Sequence, residues 1–168
     1  MLVDASTARP PGEPELVIAG GGNSKIFSEA KISPGHGVRA LGRVSDSQLK
    51  SLYENALALT FPSLTEGFGL PPLEAMLCGC PVIATNAGAT PEVCGNAAIY
   101  VDPKNAEQWT AVMIQLANDD TMRNALREKG FIQAKLYTWR RSAMQLLTIV
   151  AQISENLSLM NTLNLLSD

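Results

Sequence analysis

The chain is organised around residues 61–79, FPSLTEGFGLPPLEAMLCG. Residues 56–61, ALALTF, lead into this stretch and are almost wholly apolar, which is typical of a parallel strand covered on both faces. Residues 63–69 contain two glycines, so they predict a loop whose backbone can adopt positive φ and come close to a ligand. The order of these segments predicts a buried strand that ends in a ligand-binding loop.

A helix is predicted directly after the loop, over residues 70–77. Pro71 and Pro72 are tolerated only in a first turn, where their missing N–H groups cost nothing, and Gly79 is a natural helix end. A helix that starts just beyond a parallel strand presents N–H groups and the positive end of its dipole. The sequence therefore predicts a phosphate site at the start of this helix.

Two carboxylates frame the predicted phosphate site, Glu66 in the loop and Glu74 in the early helix. Each has a plain structural explanation, Glu66 as a solvated loop acid and Glu74 as a favourable charge in a first helical turn. Carboxylates beside a diphosphate would repel it, so we expect the pair to accept hydrogen bonds from hydroxyl groups instead. A sugar nucleotide carries hydroxyl groups on both sides of its diphosphate, so it is the class of ligand that these residues predict.

The segment EGFGLPPLEAMLCGCPVIAT, residues 66–85, resembles the E-x7-E donor-site motif of the retaining nucleotide-sugar glycosyltransferases of family 4. The resemblance extends from about Leu16 to Trp139. It implies the C-terminal half of the two-domain GT-B fold, an α/β domain with a Rossmann-like parallel sheet and helices on both faces. It also implies transfer of a hexosyl group from a nucleoside diphosphate sugar to an acceptor hydroxyl, with retention at the anomeric carbon.

The resemblance assigns roles to individual residues. Glu66 is implied as the catalytic-site carboxylate that holds hydroxyls of the donor sugar, and Glu74 as the group that holds the ribose hydroxyls. Arg43 and Val44, in LGRVSDSQL, are implied to lie at the nucleotide base. The remaining donor contacts are Thr65, Gly67, Phe68, Gly69 and Leu70. The likeness of EGFGLPPLEA to mannosyltransferases implies GDP-mannose as the donor. The resemblance also implies that no metal or other cofactor is required, because helix N-termini and cations stabilise the leaving diphosphate in that family.

Three glycines, residues 20–22, follow a strand candidate at residues 15–19. A strand, glycines and a helix in this order occur in dinucleotide sites, but GGGNSK lacks both the G-x-G-x-x-G spacing and the G-K-[ST] of a P-loop. A tight turn is the preferred interpretation. Because this loop also borders the site in the resembled family, Gly21 and Gly22 remain candidate donor contacts.

The predicted nucleotide-sugar-binding domain spans residues 15–154, between a helix end and linker at residues 1–14 and a tail at residues 155–168. Short apolar segments alternate with helical ones in its first part, which predicts a parallel sheet. Helices without intervening strands follow. Their aromatic and other apolar side chains, from Trp109 to Ile153, recur at helical spacing and are predicted to be core.

Composition limits the function classes. A net charge of −3 and a pI near 5.2 give no basic field, so nucleic acid is not an expected partner. The sequence has no apolar run of about 18 residues, which predicts no transmembrane segment and a cytoplasmic location, either free or peripheral at a membrane through another domain. A zinc site needs four ligands, and the only histidine is His36, in a predicted loop. The three cysteines are odd in number and lie in apolar surroundings, so buried reduced thiols are expected.

In the resembled family, this domain opens with a strand and with an Arg/Lys pair that clamps the diphosphate, and a separate N-terminal domain binds the acceptor. The residues before Glu15 contain Arg9 but no lysine. We therefore expect these 168 residues to lack the first strand, the clamp and the acceptor domain. Three interpretations stay open: the donor half of a glycosyltransferase, one half of a split enzyme with a separate partner chain, or a non-catalytic interaction module. The isolated chain is expected not to transfer sugar.

Overall fold

The computed structural model describes residues 12–20 and 37–165, with side chains to Glu155. The strands in these residues are β1 (Leu16–Ala19), β2 (Val38–Gly42), β3 (Leu59–Phe61), β4 (Val82–Thr85) and β5 (Ala98–Val101). The helices are α1 (Asp46–Asn55), α2 (Leu70–Leu77), α3 (Thr90–Cys94), α4 (Ala106–Asn118), α5 (Asp120–Ala134) and α6 (Trp139–Leu165). A single 3₁₀ turn, Gly95–Ala97, connects α3 to β5.

Every strand pair in the described residues is parallel. β1 pairs with β2, with Leu16 opposite Val38, and a separate three-stranded sheet has the order β3-β4-β5. Strands alternate with helices up to β5, as the apolar segments predicted. The predicted α/β class with parallel strands is therefore confirmed, although the described strands form two sheets rather than one.

The prediction that β3 is covered on both faces is wrong. β4 lies between two strands and its residues Val82, Ile83 and Ala84 are 0% exposed, whereas all three residues of β3 are only half-buried. The physical reason is that, among the described residues, β3 has a strand partner on one edge only. A strand at an edge keeps part of its backbone and side-chain surface in contact with solvent.

The core lies where α4 and α5 meet the three-stranded sheet. Trp109 of α4 is 0% exposed, and its indole Nε1–H donates a hydrogen bond to the Asp102 carbonyl oxygen at 3.1 Å. A buried indole needs such a partner, so this bond fixes α4 against the end of β5. The buried cluster consists of Ile83, Val101, Trp109, Met113, Leu116 and Leu126.

The chain divides into two compact units at residue 134, and α6 belongs to the second unit. The prediction of core positions as far as Ile153 is wrong for α6, because every described side chain of this helix is exposed; Trp139 is 89% exposed. The described part of the second unit contains no other helix or strand that could cover these side chains. The predicted domain end at residue 154 falls inside α6, which continues to Leu165.

The three thiols differ in burial. Cys80 and Cys94 are buried and Cys78 is half-buried, and all three are free. Burial raises the pKa of the Cys80 and Cys94 thiols to about 11. His36 lies outside the described residues. Over residues 12–20 and 37–165, no helix has the length and apolarity that crossing a membrane requires.

Candidate functional site

A cleft of about 1220 Å³ lies between β1 and β3, within the first of the two units. We call it the inter-sheet cleft; residues 16–19 of β1 and 59–61 of β3 line it, together with side chains of α1 and α4. Counted away from the cleft, the strand order is β1-β2 in one sheet and β3-β4-β5 in the other. Such a reversal of strand order is where ligands bind in open α/β sheets, outside the carboxyl ends of the strands.

Three of the predicted site residues line this cleft together: Arg43, Val44 and Glu74. Arg43 and Val44 directly follow β2, and Glu74 comes from α2. They thus come to one cleft from two separate parts of the sequence, one that follows β2 and one that follows β3. Arg43 is exposed and Val44 is half-buried, so both are accessible to a ligand.

The position of Arg43 and Val44 is fixed by the start of α1. Ser45 caps this helix: its hydroxyl oxygen accepts a hydrogen bond from the Gln48 N–H at 3.3 Å, and the Gln48 side-chain oxygen accepts one from the Ser45 N–H at 2.8 Å. This reciprocal capping box satisfies two N–H groups that the helix itself cannot pair. Ser45 is therefore the N-cap of α1.

The loop after β3 carries Glu66 and is held from β4. The Thr85 hydroxyl, at the end of β4, donates a hydrogen bond to the Ser63 carbonyl oxygen, and the Ser63 hydroxyl donates one to the Thr65 carbonyl oxygen at 3.3 Å. Thr85 is fully buried. These bonds tie the loop to the strand that follows it in the sheet.

Gly88 holds the same loop by close backbone contact. Its φ is +58°, and a Cβ atom at this position would lie 3.1 Å from the Glu66 nitrogen and 3.3 Å from the Glu66 carbonyl oxygen. Only a residue without a side chain lets the β4–α3 turn approach Glu66 so closely. Gly88 thus holds the backbone of Glu66 in place, and no pattern in the sequence around Gly88 indicates this contact.

α2 begins where predicted, at Leu70, and its N-cap is Gly69 with φ +95°. The positive φ predicted for the loop glycines is found at Gly69 but not at Gly67. The N–H groups at the start of a helix lack intrahelical acceptors, and Pro71 and Pro72 have no N–H. The backbone donors that α2 can offer a phosphate are therefore those of Gly69 and Leu70.

Glu74 is the fifth residue of α2, so the interpretation of its charge as a first-turn effect is wrong. A helix turn takes about 3.6 residues, and the favourable interaction with the dipole is confined to the first turn. Its carboxylate is exposed and lies near the buried ring of Tyr53 on α1. Burial, and secondarily the charge of Glu74, raises the pKa of Tyr53 to about 12, so this phenol stays protonated at neutral pH.

The orientation of α2 is set by its close packing against α5. A Cβ atom on Gly130 would lie 3.2 Å from the Met76 side chain, and one on Gly79 would lie 2.9 Å from the Phe131 ring. Arg127 of α5 also donates a hydrogen bond from Nε to the Gly79 carbonyl oxygen at 2.9 Å. These contacts hold the helix that carries Glu74 to the rest of the unit.

The other predicted donor contacts lie in the loop rather than in the inter-sheet cleft lining. Glu66 is half-buried and Gly69 is buried, whereas the remaining contacts are exposed. Those exposed residues are Thr65, Gly67, Phe68 and Leu70. Gly21 and Gly22 lie outside the described residues. The described residues contain no group of three or more His, Cys, Asp or Glu side chains that could hold a metal ion.

Two curated proteins illustrate what the sequence resembles. The chain is 41% identical over 108 residues to O-antigen chain mannosyltransferase B of Escherichia coli, a match that covers 64% of this chain and 28% of that protein. It is 34% identical over 133 residues to MMP alpha-(1->4)-mannosyltransferase of Mycolicibacterium hassiacum, which covers 77% of this chain and 32% of that protein. The chain therefore spans less than one third of each of these relatives.

Solved structures show that the fold is shared with glycosyltransferases of the GT-B fold. Sucrose-phosphate synthase from Thermosynechococcus elongatus matches with a TM-score of 0.79 and 25% identity, over 92% of this chain and 42% of that one. Anabaena HepE in complex with UDP and glucose matches with a TM-score of 0.70 and 24% identity, over 94% of this chain and 43% of that one. The family described as glycosyl transferases group 1 matches residues 9–133, well over half of the chain. The chain belongs to the glycosyl transferases group 1 family.

Proposed function

We propose that this chain binds the donor of a glycosyl transfer reaction, a nucleoside diphosphate sugar. The observation that carries the proposal is that Arg43, Val44 and Glu74 line one cleft at the carboxyl ends of parallel strands. In the proposed complex, the base lies at Arg43 and Val44, and the Glu74 carboxylate accepts hydrogen bonds from the ribose hydroxyls. Glu66 holds hydroxyls of the sugar.

The start of α2 is the proposed diphosphate site. The Gly69 and Leu70 N–H groups and the positive end of the helix dipole favour an anion there. Because Glu74 lies in the second turn, its charge is removed from this helix end and faces the cleft instead. The arrangement therefore separates the proposed anion site from the carboxylate that would repel it.

The proposed reaction is transfer of a hexosyl group with retention at the anomeric carbon, by the whole protein. Mannose is the proposed sugar and GDP-mannose the proposed donor, which the names of the two mannosyltransferase relatives support. Sugar-nucleotide binding as such is supported by the titles of the HepE structures, which name UDP and UDP-glucose as ligands of that protein. We propose that a further domain or a partner chain binds the acceptor, and that the protein is cytoplasmic.

Calorimetric titration of the 168-residue chain with GDP-mannose tests the donor site. Glu74→Gln keeps the shape of the side chain and removes its charge, and loss of a hydrogen bond to a charged group should weaken binding about 10- to 150-fold. Glu128→Gln is the matched control, because Glu128 is an exposed helical glutamate of α5 outside the cleft lining. Equal affinity of the two variants would contradict the role of Glu74.

Competition with other donors tests the nature of the sugar nucleotide. We expect GDP-mannose and GDP to displace a labelled GDP probe, and UDP-glucose to displace it only at much higher concentration. If UDP-glucose competes better than GDP-mannose, the chain is still a donor-binding domain but the proposed donor is wrong. If no sugar nucleotide binds, the proposed function is wrong.

A further inference from the structure

Tyr53 is a buried tyrosine of the inter-sheet cleft that the proposed donor contacts do not include. It is the only residue of α1 that is buried, with 9% of its surface exposed, and it belongs to the cleft lining. A buried tyrosine packs its ring against apolar neighbours and needs a polar partner for its hydroxyl. Tyr53 thus brings to the cleft a polar group to which the proposed donor site gives no role.

Glu74 lies close to Tyr53, where α1 and α2 pack against each other. The two helices are in contact, both side chains line the cleft, and Glu74 is exposed. Burial, and secondarily the charge of Glu74, raises the pKa of Tyr53 to about 12. An exposed charge has such an effect only at short range, because salt screens it beyond about 8 Å. Glu74 acts on Tyr53 through its charge and not through a direct hydrogen bond, so the two groups are neighbours that are not bonded.

The two side chains are matched as hydrogen-bond donor and acceptor at neutral pH. The other groups that influence the pKa of Tyr53 are the thiols of Cys80 and Cys78. Burial raises the pKa of both thiols, that of Cys80 to about 11, so both are uncharged at neutral pH. A phenol that keeps its proton can donate a hydrogen bond, whereas a carboxylate can only accept one. Glu74 is therefore the charged acceptor that faces the Tyr53 hydroxyl.

The Glu74 carboxylate can accept more hydrogen bonds than a ribose donates. Its two oxygens offer about four lone-pair sites, and the two ribose hydroxyls would occupy two of them. An exposed glutamate also loses side-chain entropy when a ligand fixes it in one orientation. A protein group that restrains the carboxylate in that orientation reduces this cost of binding.

We infer that Tyr53 is a positioning residue of the donor site: its hydroxyl donates a hydrogen bond to the Glu74 carboxylate in the donor complex and orients that carboxylate toward the ribose hydroxyls. The inference rests on the proposed function, since it takes Glu74 as the group that binds the ribose. Hydrogen bonds at active sites are often long without substrate and tighten in the complex, so a small movement of the exposed Glu74 side chain completes this one. Because every nucleoside diphosphate sugar has the ribose, the inference does not depend on which base is bound.

Tyr53→Phe tests the inference because it removes the hydroxyl and keeps the ring. In calorimetric titration of the 168-residue chain, this variant should bind GDP-mannose roughly threefold to tenfold more weakly than the parent chain, since one hydrogen bond is lost. Tyr100→Phe is the matched control: the Tyr100 hydroxyl donates to the Gly95 carbonyl oxygen at 2.7 Å, and Tyr100 is not part of the cleft lining. The control should bind GDP-mannose as the parent chain does. Circular dichroism checks that both variants are folded.

Two further titrations separate positioning of Glu74 from packing of α1. In a chain that already carries Glu74→Gln, Tyr53→Phe should cause less than about a twofold further loss, because two groups that act together are not additive. The dideoxyribose analogue of GDP lacks both ribose hydroxyls, so it should bind equally to the parent chain and to Tyr53→Phe. A substitution that merely loosened the packing of α1 would weaken every one of these complexes.

The outcomes distinguish the role of Tyr53 from the proposed function. If Glu74→Gln weakens binding and Tyr53→Phe does not, the donor site stands and the inference is wrong. If Tyr53→Phe weakens binding of GDP and of its dideoxyribose analogue by the same factor, or adds its full loss to that of Glu74→Gln, the effect is one of packing and the inference is again wrong. An equal loss in Tyr100→Phe would lead to the same conclusion. If the parent chain binds no sugar nucleotide, the proposed function is wrong and the inference is overturned with it.

Discussion

Gly88→Ala should weaken sugar-nucleotide binding by more than its effect on stability explains. The substitution has two consequences that can be separated. The backbone of Gly88 has φ +58°, a left-handed conformation that costs a residue with a side chain about 1–2 kcal/mol. In addition, the new Cβ atom would lie 3.1 Å from the backbone nitrogen of Glu66, so the loop that carries this carboxylate must move by a few tenths of an ångström.

Gly37→Ala provides the comparison for the first effect. Gly37 has φ +82° and a Cβ atom there meets nothing within 4 Å, and it precedes β2, at the opposite end of the strand from Arg43. Both variants should lose about 1–2 kcal/mol of unfolding free energy in urea titrations. Only Gly88→Ala should also lose affinity for GDP-mannose, by roughly fivefold, since displacement of a binding group by 1 Å can cost on the order of 100-fold and this displacement is smaller.

Calorimetry and urea unfolding of the two variants together separate the effect on donor binding from the effect on stability. If Gly88→Ala and Gly37→Ala bind GDP-mannose equally, contact between the β4–α3 turn and Glu66 does not matter for the donor. If Gly88→Ala is as stable as the parent chain, the turn relaxes without strain, and the reasoning from its backbone conformation is refuted. A variant that is unfolded at 25 °C is recognised by circular dichroism and is replaced by Gly88→Asn, because asparagine tolerates this conformation better.

Two further predictions concern buried polar groups. Thr90→Val should raise the unfolding free energy by about 1–3 kcal/mol in urea titrations, because the fully buried Thr90 hydroxyl has no hydrogen-bond partner among the described residues; a loss of stability would reveal a partner. The Cys80 and Cys94 thiols, whose pKa is raised from 9.0 to about 11, should make the fold less stable as pH rises from about 9 to about 11, since the unfolded chain releases these protons first. In the double variant Cys80→Ala, Cys94→Ala, the free energy of unfolding should depend much less on pH in this range. An unchanged dependence would contradict the role of these two thiols.

Local signals were enough to predict the strand–loop–helix unit at residues 61–77. The two prolines and the glycine at its end determine where α2 starts and stops, and the structure places this helix at Leu70–Leu77. The cap at Ser45 was predictable for the same reason, since a capping box is a contact between residues three apart. Such features depend on neighbours in sequence, so no knowledge of the tertiary structure is needed.

Features that depend on distant neighbours could not be predicted in this way. The apolar run before residue 61 indicated a strand but not whether strands would cover both of its edges. The apolar positions of α6 indicated a helix with a face to bury, yet they are exposed because burial requires another element to pack against. Gly88 looked like any turn glycine, and its close approach to Glu66 follows only from the parallel pairing of β3 with β4.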